Sequence, residues 1–292
     1  MKYWKYILTV MVVIGTFGTP VALATDAPAE QAKPVTDNVS QLIQIKDDAS
    51  ISGPAKDEKE LEARLNIIKN VLKLSTDEIT KLQDRLEKLP KFDDESQEKI
   101  LKTEYQKSLG SFSFYYTDMS EKLADVKTND DAKALAEELK NYRDVTYNPE
   151  IKKIANFTIL FYAADIVKTG KTRLNKISGD ISRLEKLGYL KTGIFADKLK
   201  EAQTLLDDAD KYQQEAAAII LTPATPEPIK AEDVTQEDII TQQMGGAADK
   251  TKAIEEPKDP GDLTSKSLQN VKNTYGIFLQ IGKDLKKYLG LK

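Results

Sequence analysis

The sequence predicts an all-α protein, an elongated multi-helix bundle of antiparallel, coiled-coil-like helices with a disordered tether and a disordered linker. Three observations carry this prediction. Apolar residues recur every three or four positions over most of the 292-residue chain, which is the spacing of one helix face. Eight of the eleven prolines fall in two segments, 25–56 and 222–262, that lack this spacing. No stretch shows the alternating apolar and polar pattern that predicts a strand.

The chain begins with the features of a secretory signal peptide. Lys2 and Lys5 give a positive start, residues 6–17 are mostly apolar, and a small-x-small motif ends at Ala24. The apolar run is short for a membrane-spanning helix, which needs about 20 residues. Cleavage after Ala24 is therefore favoured over an uncleaved membrane anchor. We expect an exported protein, located in a periplasm, a cell envelope or the medium.

Residues 25–56 are rich in alanine, proline, aspartate and lysine, and they predict a disordered tether in which only 38–45 could dock. From residue 57 the pattern becomes a heptad repeat that ends before Pro90. The repeat positions are Leu61, Leu65, Ile68, Leu72, Ser75, Ile79, Leu82, Leu86 and Leu89. Ser75 is the one polar member, and it also opens a capping box with Glu78, the pattern of a helix start. The heptad favours one helix and the box favours two; we favour a break near Leu74.

Four further helices complete the predicted bundle over 57–221. One begins near Asp93, and its apolar stripe runs from Tyr105 to Val126. A shorter one covers about 130–147, and Asn148 followed by a proline then predicts a new helix start. This new helix and the next one are separated by a turn after residue 187.

The helix that starts at Asn148 is apolar on all sides over 154–167, so we expect it at the centre of the bundle. Its second half is apolar on one face only, and Gly170 lies on the extension of that stripe at a cost of about 1 kcal/mol relative to alanine, which predicts a close helix approach or a kink. The stripe consists of Leu174, Ile177, Ile181 and Leu184. The last helix of the bundle covers about 194–221. An acidic, proline-rich linker over 222–262 and an amphipathic helix over 263–292 follow it.

The composition excludes several kinds of chemistry. The chain contains no cysteine and no histidine, so it has no disulfides, thiolate sites, histidine metal sites or histidine-based catalysis. Without the predicted signal peptide it has 41 basic and 47 acidic residues, a net charge of −6, which argues against nucleic-acid binding. The acidic clusters lack a calcium-loop pattern, and no pair of carboxylates stands out as a glycosidase site. We therefore predict a protein that is not an enzyme and has no cofactor or metal.

The densest aromatic cluster, Phe112, Phe114, Tyr115 and Tyr116, is the first candidate site. One interpretation is an apolar groove for a ligand or an unfolded chain. The other is ordinary bundle core, which is favoured because Phe112 and Tyr116 lie on the heptad face.

The lysines of the last predicted helix, Lys283, Lys286 and Lys287, are the second candidate site. A basic amphipathic helix can lie on an anionic membrane surface. The favoured alternative is that its apolar stripe docks on the bundle, since lysines near a helix C-terminus are stabilising in any case.

The sequence thus favours an exported, non-catalytic helical scaffold or protein-interaction protein of the cell envelope, with a protein partner or self-association. A binding module or holdase-like chaperone is the first alternative. A peripheral membrane protein that binds through 263–292 is the next.

Overall fold

The computed structural model describes residues 28–222 and 259–290, which are helical apart from short connections, with no strand among them. The predicted all-α class is confirmed. The predicted signal peptide and residues 223–258 of the predicted linker lie outside the described residues. The helices are α1 (Pro28–Asp47), α2 (Pro54–Lys88), α3 (Gln97–Ala124), α4 (Asn129–Tyr142), α5 (Asn148–Lys186), α6 (Ala196–Leu221) and α7 (Pro260–Tyr288), and a π-helical turn (Arg143–Tyr147) joins α4 to α5.

The helices form two bundles that share α5. In the N-terminal bundle, α1, α2, α3 and α4 pack with the first turns of α5 around a core that extends to Phe157. In the C-terminal bundle, the rest of α5 packs with α6 and α7, and two further core clusters follow one another along these helices. Leu160 marks the junction between the bundles, where it packs with residues of α6 and α7.

α2 is one continuous helix, so the prediction of a break near Leu74 is wrong and the heptad interpretation is correct. Ser75 is completely buried, and its hydroxyl donates to the carbonyl oxygen of Val71 at 2.9 Å inside the helix. A capping serine must instead leave the helical conformation and accept a hydrogen bond from an N–H ahead of it. The Ser75 hydroxyl also accepts a hydrogen bond from Arg143, which keeps the serine in the core.

The prediction of a disordered tether is wrong for residues 28–47, which form α1. Val35 and Leu42 are buried in the structure, and Val39 packs against the same core. These three residues are spaced four and three apart, so a narrow apolar stripe lies within a polar segment. The ends of α1 and α2 are joined further by a 2.8 Å hydrogen bond from the Lys56 ammonium to the carbonyl oxygen of Lys46.

An α-helix begins at Asn148 as predicted, but it continues from α4 through the π-helical turn without a break, so the predicted N-cap role of Asn148 is wrong. Asn148 has helical dihedral angles, and its N–H donates to the carbonyl oxygen of Arg143, five residues back. A proline inside an α-helix lacks its N–H and collides with the carbonyl four residues earlier, and the wider π turn just before Pro149 relieves this conflict. Residues 129–186 therefore run as one helical rod of 58 residues, about 87 Å long at 1.5 Å per residue.

α7 is held against α5 and α6 along its whole length. It begins at Pro260, three residues before the predicted start, and the carboxylate of Asp259 accepts the N–H of Gly261 at 2.8 Å. Partial burial raises the pKa of Asp259, but hydrogen bonds from Lys152 and from Gly261 outweigh it, so the pKa lies below its usual value.

At Gly170, α5 approaches α6 closely. A Cβ atom at this glycine would lie 2.8 Å from the Leu206 Cδ2 atom of α6 and 3.8 Å from Val271 of α7. The predicted close approach is confirmed, and α5 continues through Gly170 as one helix.

Candidate functional site

Two glycines shape the turn that connects α5 to α6 at the end of the C-terminal bundle. Gly188 and Gly193 have φ angles of 75° and 80°, a region that residues with a side chain rarely adopt. The N–H of Tyr189 donates back to the carbonyl oxygen of Leu184 at 3.0 Å, and the N–H of Gly193 donates to the Glu185 carboxylate at 2.9 Å. Hydrogen bonds within the segment therefore stabilise this turn.

A small apolar cluster packs between the turn and the ends of α5 and α7. Leu190 and Phe195 of the turn are buried together with Ile181 of α5 and Ile281 of α7. The Tyr288 ring, in the last turn of α7, meets the Phe195 ring edge-on at a centroid distance of 6.0 Å. The end of α7 thus lies beside the α5–α6 turn.

Large apolar side chains project from this end into solvent. Leu187 is 63 % exposed, Tyr189 is 65 % exposed and Tyr288 is 58 % exposed. Single exposed apolar residues are ordinary, but several of them on one end of a bundle, at a fixed turn, are typical of a contact surface.

Basic residues predominate in the two segments that carry these apolar side chains. Residues 183–198 and 281–290 contain seven basic and three acidic residues, a net charge of +4, whereas the whole chain carries −4. Two of the three acidic side chains already have partners within this end of the bundle. The Glu185 carboxylate accepts a hydrogen bond from the N–H of Gly193, and Asp284 forms an ion pair with Lys198. The hydrogen bond from Lys198 holds the pKa of Asp284 below its usual value.

Five lysines at this end are exposed and form no ion pair with any other described residue. They are Lys186, Lys191, Lys283, Lys286 and Lys287. We call these lysines, together with Leu187, Tyr189 and Tyr288, the end surface.

The predicted lysine site thus forms part of the end surface, and the apolar stripe of its helix faces the bundle. Val271, Phe278 and Ile281 of α7 are buried against α5 and α6, while Lys283, Lys286 and Lys287 face solvent. The apolar stripe of α7 thus docks on the bundle, while the three lysines remain exposed at the surface.

The predicted aromatic site is divided between core and surface. Phe112 and Tyr116 are buried, and their rings make edge contacts with the Tyr147 ring at 5.2 Å. Tyr115 is half-buried and stacks on Tyr142 at 3.4 Å, whereas Phe114 is 79 % exposed on the outside of α3. The four side chains therefore do not line one groove.

A buried polar cluster that the sequence analysis missed lies beside the π turn. Arg143 is only 4 % exposed; it donates to Ser75, lies 3.5 Å from the Tyr116 hydroxyl and packs over the Tyr147 ring at 5.0 Å. The Tyr147 hydroxyl donates to the Glu78 carboxylate at 2.8 Å. The arginine could have been noticed because it continues the buried stripe of α4, four residues after Leu139.

The two tyrosines of this cluster differ in their hydrogen bonds, because the Tyr147 hydroxyl donates to Glu78 whereas the Tyr116 hydroxyl accepts from Arg143. Burial raises the pKa of Tyr116 to about 12, against the opposing effect of the Arg143 guanidinium. Burial and the adjacent Glu78 carboxylate also raise the pKa of Tyr147 well above its usual value. Both hydroxyls keep their protons at neutral pH, and the hydrogen bonds of the cluster connect α2 to the π turn.

Fold and surface together define an all-α helical protein with a basic, apolar end. Comparisons with protein-family models, curated proteins and solved structures returned no match. Over residues 28–222 and 259–290, no helix combines the length and apolar character that a bilayer crossing requires. The same residues contain no group of three or more acidic side chains placed to hold a metal ion.

Proposed function

We propose that the protein is an exported, non-catalytic helical scaffold that binds its partner through the end surface. The observation that carries this proposal is an exposed apolar group at the end of a rod, formed by Leu187 and Tyr189 on a hydrogen-bonded turn and by Tyr288 at the adjacent end of α7. Apolar side chains on a rigid support bind at a low entropic cost, because the turn needs no ordering when the partner arrives. The signal-peptide pattern before Thr25 supports export.

The chemistry of the chain supports a non-catalytic role. It has no histidine or cysteine, and its buried tyrosines Tyr116 and Tyr147 have raised pKa values. A groove for unfolded chains has less support, because Phe112 and Tyr116 are part of the core.

Site-specific photo-cross-linking in the native cells tests the proposal. A photoreactive phenylalanine analogue is placed at position 189, and a matched control carries it at position 114, where the native side chain is more exposed but lies outside the end surface. We expect a discrete adduct from position 189 that mass spectrometry can identify, and no such adduct from position 114. Equal labelling at both positions, or none at position 189, would overturn the proposal.

A further inference from the structure

We propose that the end surface docks on an anionic lipid bilayer, with the protein standing end-on. This inference rests on the proposed function and names the class of its partner. Leu187, Tyr189 and Tyr288 would enter the interfacial layer, and the surrounding lysines would contact the phosphate groups of the lipids.

The side-chain types favour a lipid surface over a protein partner. Lysine is depleted in protein–protein interfaces, where arginine is enriched, and the end surface carries five exposed lysines. Tyrosine is enriched at membrane–water interfaces because its ring is apolar and its hydroxyl stays hydrated. Each lysine near an anionic membrane strengthens binding about fivefold.

The charge distribution predicts the orientation. The end carries a net charge of +4, whereas the other described residues contain 29 basic and 35 acidic side chains, a net charge of −6. An anionic bilayer attracts the end and repels the remainder, and this favours an upright rod over one that lies flat.

This mode differs from a helix that lies in the plane of the membrane. The apolar stripe of α7, including Val271 and Ile281, is already buried against α5 and α6 and is not available to lipid. Docking through the end surface leaves this packing intact, because its apolar contacts come from the α5–α6 turn and from Tyr288.

Vesicle co-sedimentation of the full chain from Thr25 onward tests the inference. The first 24 residues are left out because their apolar run would bind lipid by itself. The vesicles contain either phosphatidylcholine alone or phosphatidylcholine with 30 % phosphatidylglycerol. We expect binding only to the anionic vesicles, and we expect added salt to weaken it.

Two variants and two matched controls locate the contact. Lys283→Gln/Lys286→Gln/Lys287→Gln should weaken binding about a hundredfold, the product of three fivefold effects. The control, Lys69→Gln/Lys73→Gln/Lys107→Gln, changes the net charge equally at exposed lysines of α2 and α3 and should change binding less than threefold.

Leu187→Ser/Tyr189→Ser should weaken binding at least tenfold, whereas Phe114→Ser should leave it unchanged. Circular dichroism confirms that each variant is folded before its binding is measured. No binding to anionic vesicles, or equal losses in the variants and their controls, would overturn the lipid assignment.

The two proposals can fail separately. A protein adduct from position 189 without vesicle binding would overturn the lipid assignment and support the scaffold. The absence of any adduct from position 189 would overturn the scaffold itself. A lipid adduct together with vesicle binding would support both.

Discussion

The close approach of α5 and α6 at Gly170 makes a sharp prediction about stability. In Gly170→Ala the new Cβ atom would lie 2.8 Å from the Leu206 Cδ2 atom, which is too close, so the Leu206 side chain would have to shift. Leu206 is completely buried, so its side chain has little room to move away. Gly179, nine residues further along the same helix, has no neighbouring atom within 4 Å of such a Cβ and serves as the matched control.

The two substitutions should change the free energy of unfolding in different directions. Alanine in a helix interior is favoured over glycine by about 1 kcal/mol, and Gly179→Ala should gain that amount. Gly170→Ala receives the same gain but also overpacks the core, which costs about 1–3 kcal/mol. We therefore expect Gly170→Ala to be between neutral and about 2 kcal/mol destabilised, a gap of about 1–3 kcal/mol between the variants.

Thermal unfolding followed by circular dichroism at 222 nm measures this gap. For a protein of this size, 1 kcal/mol corresponds to about 2–4 °C in melting temperature. Gly179→Ala should therefore melt about 3 °C above the wild type, and Gly170→Ala at or below it. If Gly170→Ala is stabilised as much as Gly179→Ala, Leu206 relaxes freely and the reasoning from the close approach is wrong.

Three further predictions concern buried polar groups and the ends of α7. Gln213→Leu replaces an amide that is 5 % exposed and has no hydrogen-bond partner among the described residues, so urea denaturation should show a gain of about 1–2 kcal/mol. Tyr147→Phe removes the hydroxyl that donates to the Glu78 carboxylate, and the same measurement should show a loss of about 1.5–3 kcal/mol. Asp259 and Asp284 have lowered pKa values in the folded protein, so the stability they provide is present above about pH 4 and is lost as the pH falls through their folded pKa values. Asp259→Asn/Asp284→Asn should therefore flatten the decrease of the melting temperature below about pH 4.

Each of these predictions has a control. Gln203→Leu changes an exposed glutamine and should alter stability by less than about 0.5 kcal/mol. Tyr105→Phe removes a hydroxyl that forms no hydrogen bond with the described residues and should cost less than Tyr147→Phe. Equal effects of Tyr105→Phe and Tyr147→Phe would show that the bond to Glu78 contributes nothing. An acid-induced decrease in the double aspartate variant as steep as that of the wild type would refute the role of the two carboxylates.

The bundle could be predicted because helix periodicity is a local property of the sequence. The heptad of α2 and the stripe of α7 each place apolar residues on one face, and that face is buried in the structure. α1 was missed because only Val35, Val39 and Leu42 carry its stripe, and α2 supplies the rest of the contact. A stripe of three residues does not stand out from a polar, proline-containing segment.

The features that sequence reasoning missed depend on residues far apart in the chain. The role of Ser75 was decided by Arg143, which is 68 positions away and approaches only when the helices pack. The end surface has a similar origin. Lys283, Lys286 and Lys287 were recognised as a group, but Leu187 and Tyr189 lie in a turn, where no periodic pattern marks an exposed apolar residue.

Because α5 belongs to both bundles, it fixes the rotation of one bundle relative to the other as well as the distance between them. Each residue of an α-helix adds 1.5 Å of length and a rotation of about 100°. One residue inserted into the rod between Phe157 and Val167 would therefore turn the C-terminal bundle by more than a quarter of a circle relative to the N-terminal bundle. Seven inserted residues would nearly restore the phase while lengthening the rod by about 10 Å. Variation in length should thus be confined to the connecting turns, because the rod sets the direction in which each end faces.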